Sequence, residues 1–368
     1  MSEVLELFTE LAAVPSPPGE ERAVADLVLG YLRDCGVDAD EDAVGPSIGS
    51  TMGNLFARLP GTVEGESLLL CAHLDTVPPT GAIEPVVEDG FVRNAAGTIL
   101  GADDKAAVAA MLEATRRILA ESRQHAGIEL LFTPKEEVGL VGAFAFDQSR
   151  LASRIGYVYD QAAPIGTVIL GAPHSQSLEV TFHGRAAHSG MHPDDGRSAI
   201  LAAARAISEF RLGRVDEDST ANVGTITGGT ATNIVPEWCT FVAEARSHDE
   251  RKLADLVQEM QDAITFAAGV AECDVETVAR KSYRGYRFAK SDRAITLASE
   301  ALAACGHQVV YDRSGGAADA NVFNERGLQV VNLANGMIDI HTPTERIAVG
   351  DLDAMVDVTL ALVDAARS

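Results

Sequence analysis

The chain has 368 residues, 46% of them hydrophobic, and carries 54 acidic against 29 basic side chains, for a formal net charge of −25. This excess of negative charge argues against nucleic acids and anionic membranes as partners, because binding to phosphates requires an excess of Lys and Arg. No apolar run approaches the roughly 20 residues that span a bilayer, and the length predicts about two domains.

The N-terminus and the cysteines indicate a cytoplasmic protein. The first residues, MSEVLELFTELAAVPS, begin acidic and amphipathic, unlike the basic start of a secretory signal. The five cysteines are far apart and form no C-x-x-C pair, a pattern typical of reduced thiols rather than of a disulfide framework. We therefore expect a cytoplasmic location.

The predicted elements of the first half alternate between helix and strand. Apolar residues at helical spacing predict helices over 3–13, 20–34 and 103–120, and another after Glu136. Short apolar runs predict strands over 53–59, 67–73, 128–133 and 155–160. This alternation predicts a largely parallel sheet with helices on both faces.

The pattern changes near residue 177, where the order becomes strand, helix, two strands, helix and strand, which is that of a small ferredoxin-like domain. Beyond residue 285 the α/β alternation returns, with predicted helices and strands over 291–305, 307–311, 318–326, 328–333 and 350–366. We therefore predict an α/β fold with a mixed, largely parallel sheet flanked by helices, formed by residues 1–176 and 285–368. An α+β ferredoxin-like lid or dimerisation domain, residues 177–284, is inserted into it.

Acidic residues and histidines stand where the predicted strands stop or a helix begins. The clusters are His73 and Asp75, Asp103 and Asp104, Glu136 and Glu137, Asp160, and His341. In open α/β sheets ligands bind beyond the carboxyl ends of the strands, so these clusters can converge in one crevice. Two imidazoles and several carboxylates in one place are the ligand set for a pair of zinc-like ions.

Each cluster taken alone has an ordinary explanation. Asp103 would suit a helix start, where acids interact favourably with the helix dipole, and Glu136 and Glu137 would suit a solvated first turn. In a metal site one of these two glutamates binds metal while the other takes the proton of the bound water. The spacing alone leaves open which is which. Asp75 would orient His73, because a metal-bound imidazole needs an acceptor at its second nitrogen.

The sequence blocks around these residues resemble the peptidase T-like branch of the zinc-dependent aminoacylase/carboxypeptidase superfamily. The blocks run nearly end to end and include CAHLDTVPP, LGADDKAAVAAM, TPKEEVGLVGA, YVYDQAAPIG and GMIDIHTPTERI. The resemblance implies roles for seven residues: His73 and Asp160 on one metal, Glu137 and His341 on the other, Asp103 bridging both, Glu136 as general base and Asp75 as the orienter of His73.

The resemblance also implies a substrate class. An aspartate at the third-ligand position, here Asp160, is similar to the aminopeptidase and tripeptidase side of the superfamily, whereas glutamate goes with carboxypeptidases and many deacylases. It implies a metallopeptidase that cleaves short peptides with a free N-terminus through a metal-bound hydroxide. The two divalent ions would be zinc, with manganese or cobalt as alternatives. An N-acyl amino acid deacylase or another amidohydrolase of the superfamily is the alternative function, and a non-catalytic metal- or peptide-binding protein is an alternative of another class.

Three residues of the inserted domain match substrate-binding positions of the family. His188, in AAHSGMHP, matches the lid histidine, which can stabilise the tetrahedral oxyanion, often in the partner subunit. Asn233, in GGTATNIVP, looks like the polar substrate contact, and Arg246, in EARSHD, matches a position that can fork onto a substrate carboxylate. A loop histidine, a hairpin turn and a solvated strand arginine are the plain alternatives. The resemblance further implies a homodimer.

Overall fold

The computed structural model describes residues 2–367, and the chain divides into two compact units. Unit 1 consists of Met1–Gly171 and Arg287–Ser368, and unit 2 consists of Ala172–Tyr286. The limits drawn from the sequence for the inserted domain, 177–284, stay a prediction.

The first segment of unit 1 alternates between helices and strands. Its helices are α1 (Glu3–Ala12), α2 (Arg22–Asp34), α3 (Gly45–Ile48), α4 (Ala102–Ala120) and α5 (Val141–Ala145). Its strands are β1 (Ala39–Glu41), β2 (Leu55–Leu59), β3 (Leu68–His73), β4 (Pro85–Glu88), β5 (Phe91–Asn94), β6 (Ile128–Thr133), β7 (Ile155–Val158) and β8 (Thr167–Ile169), and β9 (Gly171–Ala172) lies at its boundary.

The remaining elements belong to unit 2 and to the second segment of unit 1. Unit 2 contains β10 (His174–His183), α6 (Ala199–Glu209), β11 (Gly213–Arg214), β12 (Ser219–Gly228), β13 (Trp238–Ser247), α7 (Glu250–Ala271) and β14 (Asp274–Tyr283), and β15 (Tyr286–Arg287) lies at its boundary. The second segment of unit 1 contains α8 (Arg293–Ala304), β16 (Val310–Asp312), α9 (Asp319–Glu325), β17 (Gln329–Asn332), β18 (Arg346–Ala348) and α10 (Val349–Ala365).

The central sheet of unit 1 has the strand order β1-β2-β6-β3-β7-β17. Strands β6, β3, β7 and β17 run parallel, and β2 and β1 extend one side in antiparallel fashion. Every residue of β3 and β6 is buried, which is typical of strands covered by helices on both faces. The prediction of a mixed, largely parallel sheet flanked by helices is confirmed.

Several parts of unit 1 differ in detail from the sequence prediction. The helix expected directly after Glu136 begins only at Val141, because Gly139 and Leu140 adopt left-handed backbone angles (φ 109° and 59°) that a helix cannot accommodate. In addition, β4, β5 and β18 form a small three-stranded antiparallel sheet that the sequence did not reveal.

Unit 2 is a five-stranded antiparallel sheet with the order β11-β12-β13-β10-β14. Its core alternates along the strands, as Leu178, Val180 and Phe182 of β10 are buried together with Phe241 of β13. Helices α6 and α7 contribute further buried side chains to this core. The predicted ferredoxin-like order is confirmed, with β11 as a short additional edge strand.

Within residues 2–367, none of the helices combines the length and the apolar character that crossing a bilayer requires.

Candidate metal centre

The predicted metal ligands of the first segment follow three neighbouring strands and open one helix. Strand β3 ends at His73, Glu136 and Glu137 follow β6, and Asp160 follows β7, while Asp103 lies at the start of α4. Because β6, β3 and β7 are parallel neighbours, their carboxyl ends meet at one edge of the sheet. The topology therefore collects these side chains in one place.

The carboxylate of Asp103 lies between two imidazoles. Its Oδ1 is 3.3 Å from Nε2 of His73, and its Oδ2 is 3.1 Å from Nε2 of His341. The same nitrogen of His341 is 3.1 Å from Oε1 of Glu137. Asp103 is thus placed as a bridge, with one oxygen directed to each histidine, and Glu137 shares the side of His341.

The charges in this cluster are crowded. Ligand atoms of His73, Glu136 and Asp160 all lie within 4.8 Å of one another, and so do those of His73, Asp103 and Glu137. Burial, and then the charge of neighbouring Asp160, raises the pKa of Glu136 well above its ordinary value. Burial and the charge of Asp103 do the same to the pKa of Asp160. Divalent cations relieve such repulsion between buried carboxylates, so the donor set fits two of them.

The histidines show the complementary effect. Hydrogen bonds with Asp103 and Glu137 raise the pKa of His341 to about 10. Burial opposes ionisation of Asp103, yet hydrogen bonds with His341 and His73 hold the pKa of this carboxyl well below its usual range. A site that attracts protons to its imidazoles so strongly is an electrostatic site for cations.

Asp75 lies behind this cluster and makes two kinds of contact. Nδ1 of His73 is 2.8 Å from the backbone carbonyl of Asp75 and 3.6 Å from its Oδ1. This hydrogen bond holds an N–H at Nδ1 and directs Nε2 to the cluster, where it would bind a metal once the proton it shares with Asp103 is released. The carboxylate of Asp75 accepts the backbone N–H groups of Glu136 at 2.9 Å and Glu137 at 3.1 Å. The sequence suggested only the contact with His73, and the support of the Glu136–Glu137 turn is new.

Sequence reasoning also missed the groups that hold Asp160. Oδ1 of Asn332 accepts the N–H of Asp160 at 2.9 Å, and its Nδ2 donates to the carbonyl of Asp160 at 2.7 Å. Nδ2 of Asn335 donates to the carbonyl of Tyr159. Both asparagines lie in VVNLANG, where β17 ends beside β7. A buried amide that ends an apolar strand was the available signal.

In unit 2, His188 and Asn233 lie close together on exposed chain. The N–H of Ser189 donates to the carbonyl of Asn233 at 3.0 Å, next to a bridge between His188 and Ile234. Nδ1 of His188 accepts the N–H groups of the second and third residues after it, at 3.2 and 3.1 Å. Its proton therefore resides on Nε2, the tautomer that an oxyanion donor requires.

Arg246 is engaged within unit 2. Its Nε and one terminal nitrogen each lie 3.1 Å from the carboxylate oxygens of Glu244, and its guanidinium lies 6.0 Å from the ring centre of Tyr283. The fork that would bind a substrate carboxylate is thus occupied by a neighbouring acid. Substrate binding by His188, Asn233 and Arg246 stays a prediction.

Two family models match parts of the chain. Residues 171–272 match the peptidase dimerisation domain of the M20 family, and residues 54–182 match peptidase family M28. A paired cluster of histidines and carboxylates at the carboxyl end of a largely parallel sheet, with this domain inserted, defines a metallopeptidase.

Relatives that match along the whole chain identify the branch. The chain is 35% identical to the aminopeptidase PepT of Bacillus cereus ATCC 10987, with a TM-score of 0.89, and 34% identical to a tripeptidase of Staphylococcus aureus subsp. aureus Mu50, with a TM-score of 0.94; each comparison covers 100% of this chain and 98% of the other. It is also 38% identical to the uncharacterized protein YqjE of Bacillus subtilis strain 168, over 99% of this chain and 98% of that one. This chain belongs to the peptidase T-like metallopeptidases of the M20 family.

Proposed function

We propose that the protein is an aminopeptidase or tripeptidase that hydrolyses short peptides with a free N-terminus. The observation that carries this proposal is the carboxylate of Asp103, which is directed at an imidazole on each side. The five residues that would hold two divalent cations, zinc first and manganese or cobalt as alternatives, are His73, Asp103, Glu137, Asp160 and His341.

The residues of the site divide the chemistry among them. When bound, the two cations supply an acidified water and polarise the carbonyl of the scissile amide. Glu136, only 9% exposed, takes the proton of the attacking water and returns it to the leaving nitrogen. Asp75 keeps Glu136 in place through its backbone N–H and holds Nδ1 of His73 as the N–H donor, which leaves Nε2 as the nitrogen that would bind a cation.

The choice of substrate rests on Asp160 and on the relatives. An aspartate at this position is typical of the aminopeptidase side of the family, and the two solved structures with about one third identity are an aminopeptidase and a tripeptidase. The free α-amino group of the peptide would bind on the Asp160 side of the pair of cations. His188, Asn233 and Arg246 would contact the rest of the substrate.

We further propose that the enzyme is a cytoplasmic homodimer. The match of residues 171–272 to a peptidase dimerisation domain supports the dimer. All five cysteines are free, which agrees with a reducing compartment.

A matched substrate panel with metal analysis tests the activity. One tripeptide is offered with a free N-terminus and with an acetylated N-terminus, beside N-acyl amino acids. We expect two ions per chain, and turnover of the free tripeptide that stops when a chelator removes the metal and returns when zinc is added. Turnover of only the N-acyl compounds would refute the aminopeptidase assignment and favour a deacylase. A chain that binds two ions but cleaves none of the compounds would favour a non-catalytic binding protein.

A further inference from the structure

Glu345 is a buried carboxylate that binds the backbone in front of α4. The side chain belongs to a residue that is 3% exposed. Its Oε2 accepts the N–H groups of Leu100 at 2.7 Å and Gly101 at 2.9 Å, and its Oε1 accepts the N–H of Asp103 at 3.2 Å. One side chain from near the end of the sequence thus satisfies three donors of the segment that carries the bridging aspartate.

This segment has no local cap of its own. The residue before α4 is Gly101, which has a left-handed backbone (φ 77°) and no side chain that could accept the first N–H groups of the helix. Asp103 itself has non-helical backbone angles. The first N–H groups of a helix have no partner within the helix and normally donate to the oxygen of a nearby side chain. Here the acceptor for these N–H groups comes from Glu345.

The same short loop reaches Asp103 a second time. Ile338 and Arg346 exchange backbone hydrogen bonds at 3.0 and 3.1 Å, which closes the loop between them. Within the loop, Nε2 of His341 contacts Oδ2 of Asp103 at 3.1 Å, while Glu345 binds the N–H of Asp103. A single closed loop therefore holds both the carboxylate and the backbone of Asp103.

A carboxylate is needed at this position. Both oxygens of Glu345 accept hydrogen bonds, so an amide of the same size would direct an N–H group at one of the three N–H donors. If the amide oxygen stays with Leu100 and Gly101, its nitrogen faces the N–H of Asp103 and pushes that residue away. Replacement by glutamine thus preserves volume and disturbs the support of the bridging ligand.

We propose that Glu345 is a positioning residue that sets the distance between Asp103 and His341 and thereby the affinity of the metal pair. This inference rests on the proposed function, because it takes Asp103 and His341 as metal ligands. Groups that orient metal ligands from behind typically contribute about 10- to 100-fold in metal affinity when they are replaced.

The test compares Glu345→Gln and Glu345→Ala with Glu129→Gln. Glu129 is an equally buried carboxylate that accepts the backbone N–H groups of Ala152 and Ser153 near the opposite end of β6. Each protein is stripped of metal and titrated with Zn²⁺ against a competing chelator, and its thermal unfolding is recorded. The absorption spectrum with bound Co²⁺ reports the geometry of the ligands directly.

We expect the affinity for at least one Zn²⁺ to fall by about 10- to 100-fold in Glu345→Gln and further in Glu345→Ala, with an altered Co²⁺ spectrum in both. Glu129→Gln is expected to unfold at a lower temperature and to keep wild-type affinity and spectrum. Wild-type affinity and spectrum in folded Glu345→Gln would overturn this inference and leave the proposed function intact. Failure of the wild-type protein to bind two ions would overturn the proposed function, and this inference with it.

Discussion

Strand β6 has a buried glutamate near each end, and the two are held in opposite ways. Near the start, Glu129 accepts the N–H groups of Ala152 and Ser153 and lies 2.6 Å from the guanidinium of Arg58. Burial opposes its ionisation, yet these hydrogen bonds bring the pKa of Glu129 below its ordinary value. Beyond the other end, burial and the charge of Asp160 raise the pKa of Glu136 well above the ordinary value.

The difference shows where the chain itself compensates the charge of a buried carboxylate and where it does not. A buried carboxylate costs free energy unless hydrogen bonds and opposite charges compensate it. The chain supplies that compensation to Glu129 from its own backbone and from Arg58. At the other end of β6 the carboxylates lie against one another. The groups beside them are imidazoles, which can bind metals, and not an arginine such as Arg58. Buried charge is therefore compensated within the fold at one end of the strand, whereas at the other end it would serve the proposed catalysis.

The largest effect is expected from Glu136→Ala. If Glu136 is the general base, turnover of a free tripeptide falls by roughly 100- to 10,000-fold, while metal analysis still finds two ions, because the proposed set of five ligands does not include Glu136. Steady-state kinetics and metal content are measured on the same sample, with Glu129→Gln as the control that keeps activity within a few-fold of wild type. Full activity in Glu136→Ala would refute the mechanism.

Asn332→Ala tests the support of Asp160, the proposed ligand that follows β7. The amide of Asn332 binds both the N–H and the carbonyl of Asp160, so its loss frees the backbone of one proposed ligand. We expect metal affinity to fall by about 10- to 100-fold, measured by Zn²⁺ titration against a chelator. Asn324→Ala is the matched control, because Asn324 makes the same pair of backbone contacts to Val330. Equal metal affinity in the two variants would contradict a role specific to Asp160.

Glu129→Gln measures how much the buried glutamate near the start of β6 contributes to stability. The amide loses charge-assisted hydrogen bonds, and we expect the free energy of unfolding to fall by about 1–3 kcal/mol. Urea denaturation of the metal-free protein gives this value, and activity at temperatures well below unfolding stays at the wild-type level. A loss of metal binding in this variant would contradict the view that Glu129 contributes to stability alone.

The smallest effect concerns pH and His125, which is 4% exposed in the turn before β6. Burial lowers the pKa of His125. Between that lowered pKa and the ordinary pKa of histidine, the imidazole is therefore neutral in the folded state and protonated in the unfolded chain. Its contribution to stability is therefore fully present above an unfolded pKa of about 6.5 and is lost as pH falls through that value towards the folded pKa. Denaturation of His125→Gln between about pH 7.5 and 5 is expected to show a weaker decline than the wild type. An unchanged slope would exclude His125 as its source.

The sequence predicted the parts of this molecule that depend on local pattern. The apolar runs located β3, β6 and β7, and they led to three proposed ligands, because β3 ends at His73 while Glu137 and Asp160 follow β6 and β7 within four residues. His341, expected where a strand stops, instead lies in the loop between β17 and β18. The main sheet follows from the same alternation. These features are readable because burial on both faces of a parallel strand leaves a continuous apolar run.

The supporting contacts were not predictable, because they join residues that are far apart in the chain. Glu345 reads as one more acid in a polar turn, yet it binds the N–H of Asp103, 242 positions away. The carboxylate of Asp75 was assigned to the adjacent histidine, although it also accepts two N–H groups of the Glu136–Glu137 turn. Every residue except proline has a backbone N–H group, so the residue types do not show which side chain accepts it.

The insertion of unit 2 into unit 1 has a consequence for the order in which the enzyme is made. A ribosome releases His73, Asp103, Glu136 and Asp160 before unit 2, and it releases Asn332, His341 and Glu345 only after it. Until then the nascent chain contains the acids of the site but lacks the loop between Ile338 and Arg346, which contacts Asp103. A chain cut short after unit 2 would therefore lack part of the proposed metal site, and full loading with metal would require that synthesis has passed Glu345.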